Sequence, residues 1–316
     1  MKLGFHQYMT SLSNALRTIA AAVYLFSHLG FHRINKEWKK WNLLEYSNRR
    51  QDAKRSGIIT TIYWGFPFHQ LLVDTSYGKT FVLEAGDPTK NSVILLHGSC
   101  SNSAAWLGDI PILAEGYHVF AVDIPGEPGN SAENRLDFHS GEYPSWFGEV
   151  MDGLGIDRAA VVGNSMGGWL ALHFASLYPN RTLALALIAP SGIVLPKQSF
   201  IDQTADMDEN AESASESLLS GVELPKEVLE FMALVMENFN PFTGALPVLQ
   251  DKDMIKLGMP VLYIAGKGDI TMDAELAAKR LQKLVPQVTV HLTDDSHIIL
   301  GFSDRIMKFL NVVNCK

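Results

Sequence analysis

The pentapeptide Gly163-Asn164-Ser165-Met166-Gly167 constrains this chain more than any other stretch. It stands between the apolar run Ala159 to Val162 and an apolar, Ala-rich segment that reaches Leu177 with helical spacing. G-x-S-x-G at a strand-to-helix junction describes a turn so abrupt that the serine is forced into an unfavourable backbone conformation. The flanking glycines let strand and helix close together there. A serine Oγ lifted clear in this way attacks an acyl carbon if a histidine takes its proton. A Gly-rich turn carrying an inert serine reads the same locally, so the rest of the chain has to decide.

Length and composition narrow the setting. A chain of 316 residues suits one large domain, or a core domain with an insertion. Hydrophobic residues at 47% against 19% charged describe an ordered soluble globule. The net charge of -8 leaves no Lys/Arg excess to neutralise phosphates, which disfavours nucleic-acid binding. Cys100 and Cys315 are too few for a disulfide framework and suit a reducing, cytoplasmic setting. Scattered histidines, with no H-E-x-x-H, C-x-x-C or helix-opening G-x-G-x-x-G, lead us to expect neither metal nor cofactor.

Residues 1–57 read as an N-terminal helical extension ending in a charge-rich edge. Its uninterrupted apolar core, Ile19 to Phe26, is shorter than the roughly 18 residues of a membrane span. Three readings stay open: a packed or interface helix that makes a homo-oligomer, a signal segment for secretion, and peripheral membrane contact. Trp38 and Trp41 lie on one helical face, as core packing or as cover for a pocket entrance.

From Gln70 the pattern changes. Leu71 to Thr75 and Thr80 to Glu84 predict an antiparallel hairpin around Ser76-Tyr77-Gly78-Lys79. Ser92 to His97, His118 to Asp123, Ala159 to Gly163, Thr182 to Ala189, Pro260 to Ala265 and Val288 to Leu292 predict strands separated by helical segments. Among the latter, Ser103 to Glu115 reads as one helix that Pro111 threatens to interrupt. Strands apolar on both faces imply an α/β fold, a largely parallel sheet with helices on both sides and its chemistry beyond the C-terminal strand ends.

Residues 196–256 break the alternation and read as an inserted helical cap between two parts of the core, 58–195 and 257–316. Its acidic stretch Asp206 to Glu216 reads as a solvated helix or loop. Met232, Met236 and Phe239 are explained first by packing onto the core, and secondly as the lining of an adaptable acyl pocket with Cys100.

A serine nucleophile needs a base within reach and an acid to orient that base, in the chain order Ser, Asp, His for a doubly wound hydrolase. The strand P-V-L-Y-I-A leads into Gly266-Lys267-Gly268-Asp269, and V-T-V-H-L leads into Thr293-Asp294-Asp295-Ser296-His297. Two strand-end loops thus present Asp269 and His297 at one edge of the sheet. Asp273, at the start of a helix, is the rival acid, and Asp294 and Asp295 read as bonding to backbone. His97 reads as a loop support, and His173 and His291 as packing residues. For the developing oxyanion, one donor is the backbone N–H of Met166, while Ser99 and Cys100 compete to supply the second. A free Cys100 there would make the enzyme sensitive to thiol reagents.

The succession H-G, D-x-P-G, G-x-S-x-G, G-x-x-D and His resembles the alpha/beta-hydrolase fold superfamily, and within it the capped esterase branch. Residues 58–86, with Trp64-Gly65-Phe66-Pro67 before V-D-T-S-Y-G-K-T-F-V-L-E-A-G, are similar to bacterial carboxylesterases of the naproxen-esterase type. The resemblance implies an eight-stranded, mostly parallel sheet, a triad of Ser165, Asp269 and His297, oxyanion donors at Ser99 and Met166, and a lid at 196–256. The chain departs in three places. His97-Gly98-Ser99-Cys100 replaces the more glycine-rich loop that favours tertiary-alcohol esters, the segment after Asp123-Ile124-Pro125-Gly126 is longer than usual, and residues 1–35 exceed the core family.

The function expected is therefore serine carboxylic-ester hydrolysis through an acyl-enzyme, on a small-to-medium, largely apolar ester. Carbon–carbon bond hydrolase, lactonase and N-terminal-residue peptidase are the alternatives that use the same triad.

Overall fold

The computed structural model describes residues 66–205, 239–240, 242, 244–299 and 301–314. The extension at 1–57 and most of the cap, including Met232 and Met236, lie outside the described residues.

The sheet has eight strands: β1 (His69–Thr75), β2 (Gly78–Gly86), β3 (Ser92–Leu96), β4 (His118–Val122), β5 (Ala159–Asn164), β6 (Thr182–Ile188), β7 (Val261–Gly266) and β8 (Val288–Thr293). The order across it is β1-β2-β4-β3-β5-β6-β7-β8. β1 pairs antiparallel with β2, and β2 antiparallel with β4; every other pairing is parallel. The hairpin forms in the register Val73↔Thr80, and its left-handed turn residue is Gly78 at φ +110°.

The helices are α1 (Ile110–Ala114), α2 (Glu142–Gly153), α3 (Met166–Leu177), α4 (Gln198–Ala205), α5 (Asp251–Met254), α6 (Ala274–Leu284) and α7 (Ser303–Asn314). α1 packs with α7 and α2 with α3, so that helices flank the sheet. Val93, Ile94, Leu95 and Leu96 of β3 are all fully buried, as a strand covered on both faces requires. None of the described helices is long and apolar enough to cross a membrane.

One expectation needs correcting. Ser103 to Glu115 is not a single helix: a 3-10 turn, Ser103–Trp106, is capped by the Asn102 side chain, and α1 begins anew at Ile110. Pro111 does not interrupt that helix but sits in its first turn, where its missing N–H has no partner to lose.

The strand order explains where a site can form. The chain leaves β3 for β4 on one side, then returns to place β5 on the other. The loops after β3 and β5 therefore diverge, opening a crevice at the C-terminal ends of these two central strands.

Candidate active site

β5 ends at Asn164 and α3 starts at Met166, leaving Ser165 alone at the bend with φ +50° and ψ -113°. Three backbone hydrogen bonds hold this residue: its N–H donates to Ile188 O at 2.9 Å, and its carbonyl accepts from Trp169 N and Ser191 N at 3.0 and 3.1 Å. The flanking glycines are needed because the elbow leaves no room. A Cβ on Gly163 would come within 2.3 Å of Gly167 O, and one on Gly167 within 2.2 Å of Leu96 O. The elbow is thus pressed against the end of β3, the strand whose loop completes the crevice.

Beyond β7 and β8, the next two loops also touch. A Cβ on Gly266 would lie 2.1 Å from Ser296 O, and Gly268 N donates to Asp295 O at 3.0 Å. This contact brings His297 over Asp269. His297 Nε2 lies 3.1 Å from Ser165 Oγ, and its Nδ1 lies 2.7 Å from Asp269 Oδ2. With Asp269 accepting at Nδ1, the neutral imidazole carries its proton there and turns a lone pair at Nε2 toward the serine hydroxyl. All three residues are buried.

The electrostatics follow from that burial. For Asp269, burial is the largest influence and pushes the carboxyl up, but the His297 charge and hydrogen bonds from His297 and Thr271 together bring it below its ordinary value. For His297, burial pushes down most strongly, yet the Asp269 charge and hydrogen bond outweigh it, so its pKa is raised. An ionised Asp269 and a strengthened base result.

Thr271 was not visible as a site residue in the sequence. Its N–H and Oγ1–H both donate to Asp269 Oδ1 at 2.7 Å, which leaves Oδ2 to His297. A threonine two residues after an acid can close a turn onto that acid, and this was the available signal. Asp273, the rival acid, is instead the N-cap of α6, with Oδ1 accepting from Leu276 N at 2.9 Å.

His97 is a loop support: it is buried, its Nε2 accepts from Ile124 N at 2.9 Å, and its Nδ1 lies 2.7 Å from Gly98 O. Burial lowers its pKa, as suits an uncharged bridge. His173 contacts Pro247 O at 3.3 Å and packs beside Trp169. Asp294 forms an exposed ion pair with Lys267 in place of the expected backbone bond.

Cys100 needs two corrections. Its N–H donates to Glu127 Oε2 at 2.6 Å and is not free for an oxyanion. Its thiol is 1% exposed, and burial, then the Glu127 charge, raise its pKa well above normal, so thiol-reagent sensitivity is not expected. By contrast, no acceptor among the described residues takes the N–H of Ser99 or Met166. Phe239, expected as pocket lining, has its ring beneath the Arg135 guanidinium at 5.4 Å. Beside Ser165, Met166, Trp169 and Leu170 of α3 meet Ile124, Phe138 and Tyr143 around a tightly packed gap.

Comparison with known proteins agrees with this architecture. Residues 91–226 match the model of the alpha/beta hydrolase fold. The chain is 25% identical over 266 residues to an uncharacterized carboxylesterase, nap, of Bacillus subtilis, covering 78% of this chain and 88% of that protein. Among solved structures, naproxen esterase (carboxylesterase NP) of Bacillus subtilis superposes with a TM-score of 0.69 at 23% identity, covering 78% of this chain and 93% of that one. Carboxylesterase CesB (YbfK) of the same organism superposes with a TM-score of 0.67 at 22% identity, covering 85% and 97%. The chain has the alpha/beta-hydrolase fold and resembles these bacterial carboxylesterases.

Proposed function

We propose that this alpha/beta-hydrolase-fold protein is a carboxylesterase-like serine hydrolase, with Ser165 as nucleophile, His297 as general base and Asp269 as the acid that orients it. The observation that carries the reading is the unbroken relay from Ser165 Oγ through His297 to Asp269, with steps of 3.1 and 2.7 Å.

Ser165 Oγ attacks the ester carbonyl carbon while His297 Nε2 takes its proton. Negative charge builds on the former carbonyl oxygen, for which the N–H groups of Ser99 and Met166 are the donors; each such donor is worth roughly 100- to 1,000-fold in rate. The imidazolium, stabilised by Asp269, then returns its proton to the departing alkoxide, and an acyl-enzyme remains. Water, deprotonated by His297, repeats the sequence and releases the acid.

A small-to-medium, largely apolar ester is the substrate this reading favours, on the Met and Phe content of residues 231–242. We propose that the apolar segment at 15–29 supports a homo-oligomer, to be tested by the size-exclusion profile of a chain lacking residues 1–30; an unchanged profile removes the proposal.

The test of the activity is twofold. A fluorophosphonate should label the wild type at Ser165 and leave Ser165→Ala unlabelled. Turnover of p-nitrophenyl esters from acetyl to decanoyl should exceed turnover of aminoacyl amides and vinylogous diketones. Greater turnover of either of the latter classes would overturn the esterase reading.

A further inference from the structure

Cys100 has φ +59°, the left-handed region that a residue with a Cβ enters at a cost. The group that holds it there comes from a different loop. Glu127, five residues beyond β4, reaches across to accept the Cys100 N–H at 2.6 Å. Both residues are buried, so this bond is made away from competing water.

The rest of the β3 loop is tied to the same neighbour. Asn102 Nδ2 donates to Pro128 O at 2.9 Å, Ser103 N donates to Asp123 Oδ1 at 2.7 Å, and His97 Nε2 accepts from Ile124 N at 2.9 Å. Of these ties, the Glu127 bond falls on the peptide next to Ser99. It also separates two adjacent N–H groups: that of Cys100 is taken by a carboxylate, and that of Ser99 has no acceptor among the described residues.

We propose that Glu127 is a positioning residue for the oxyanion hole, its carboxyl holding the Cys100 N–H and with it the left-handed turn that leaves the Ser99 N–H for the substrate oxyanion. This rests on the reading of Ser165 as nucleophile and of Ser99 as a donor.

A carboxylate beside an oxyanion site would oppose the developing charge, and the surroundings moderate that. Burial, opposed by the Cys100 N–H and the Arg135 guanidinium, pushes the Glu127 carboxyl up to about 7. The other titratable groups that feel it are the Cys100 thiol and the Tyr143 phenol, both uncharged at neutral pH because burial raises them. Protonated or ionised, Glu127 keeps an oxygen that can accept from Cys100, so the loop geometry persists across neutral pH.

The experiment uses the full chain with Glu127→Leu, Glu127→Gln and the double variant Cys100→Gly/Glu127→Leu. Fluorophosphonate titration to completion counts active Ser165 in each, and p-nitrophenyl butyrate gives kcat and KM. A trifluoromethyl ketone, which becomes a hemiketal oxyanion on Ser165, reports the hole itself. E127L should lower kcat by roughly 10- to 100-fold with KM within about twofold, and weaken the ketone by a similar factor. E127Q, whose amide oxygen still accepts from Cys100, should stay within about threefold of wild type. Cys100→Gly should restore part of the loss in the double variant, because glycine adopts the left-handed turn unaided. If E127L does not fold, E127A takes its place with the same expectations.

Wild-type kcat in the truncated variant, loss of kcat without weaker ketone binding, or a Gln variant as impaired as Leu would each overturn the proposal. Wild type that fails to label at Ser165 would instead overturn the reading beneath it.

Discussion

Asp269 Oδ2 and His297 Nδ1 lie 2.7 Å apart in a contact closed to solvent, while the other oxygen of that carboxylate is occupied by Thr271. The acid therefore has one oxygen for structure and one for the base. Asp269→Asn would keep the shape, but its amide can donate toward Nδ1 and so favour the tautomer with the proton at Nε2, where it cannot accept from Ser165. The expected loss in kcat is on the order of 10,000-fold. Asp273→Asn should leave kcat unchanged and cost only a few tenths of a kcal/mol, since asparagine caps helices nearly as well as aspartate. Steady-state kinetics of the two variants check this, and the reverse ranking would move the acid to Asp273.

The same pair sets the acid limb of the pH–rate profile. Only neutral His297 accepts the serine proton, so activity should disappear as pH falls through its raised pKa. The half-point is expected above the ordinary histidine value of about 6.5. In Asp269→Asn the opposing burial is left uncompensated, and the limb of the residual activity should move to lower pH. A kcat/KM profile from pH 5 to 9 for both proteins measures the shift, and a limb that stays in place argues against His297 as the titrating base.

Packing makes a second kind of demand on the crevice. A Cβ on Gly167 would stand 2.2 Å from Leu96 O and 2.5 Å from His97 O, both backbone atoms that cannot swing away. Gly167→Ala should therefore push the elbow from the β3 loop. We expect at least a tenfold loss of kcat and about 1–3 kcal/mol of stability, the usual range for overpacking. Gly141→Ala is a useful contrast: its Cβ meets nothing, so its cost is confined to backbone strain at φ +81° and should leave kcat alone. Thermal denaturation and esterase kinetics together separate the two cases.

These residues also mark how far the sequence could be read. Apolar runs such as Val93 to Leu96 announce buried strands because burial on both faces leaves no polar positions. Ser165, Asp269 and His297 were legible through their place in strand-end loops, which chain order alone supplies. What escaped was contact between loops distant in sequence. Glu127 looked like part of an overlong turn, yet its partner Cys100 lies 27 positions earlier. Nothing local marks a carboxyl that will be buried, or a cysteine that will be left-handed. The 3-10 turn Ser103–Trp106 is tied in the same way: Asp123 Oδ1, 20 positions later, accepts the Ser103 N–H.

A buried acid away from the crevice gives the remaining prediction. Asp109 lies just before α1 and accepts from Ser303 Oγ at the start of α7, joining two helices across 194 positions of sequence. Its Oδ2 has no partner among the described residues, and the side chain is buried. Burial, only partly offset by the Ser303 hydrogen bond, pushes the carboxyl from 3.8 up to about 7. A folded-state pKa above the unfolded one contributes stability that is fully present below the unfolded value and is lost as pH rises through the folded value. The window is therefore about pH 4 to 7, and the contribution at stake is about 4 kcal/mol at most. Asp109→Asn keeps the size and the acceptor for Ser303 but does not titrate. Relative to wild type, the variant should gain stability between about pH 4 and 7 and hold that gain above it. Glu127, raised in the same direction, affects both proteins alike and cancels in that difference. Urea unfolding of the two at pH 5 and pH 8 measures it. Parallel pH dependence in both proteins would mean that folded Asp109 ionises near the ordinary carboxylate value, and would overturn the prediction.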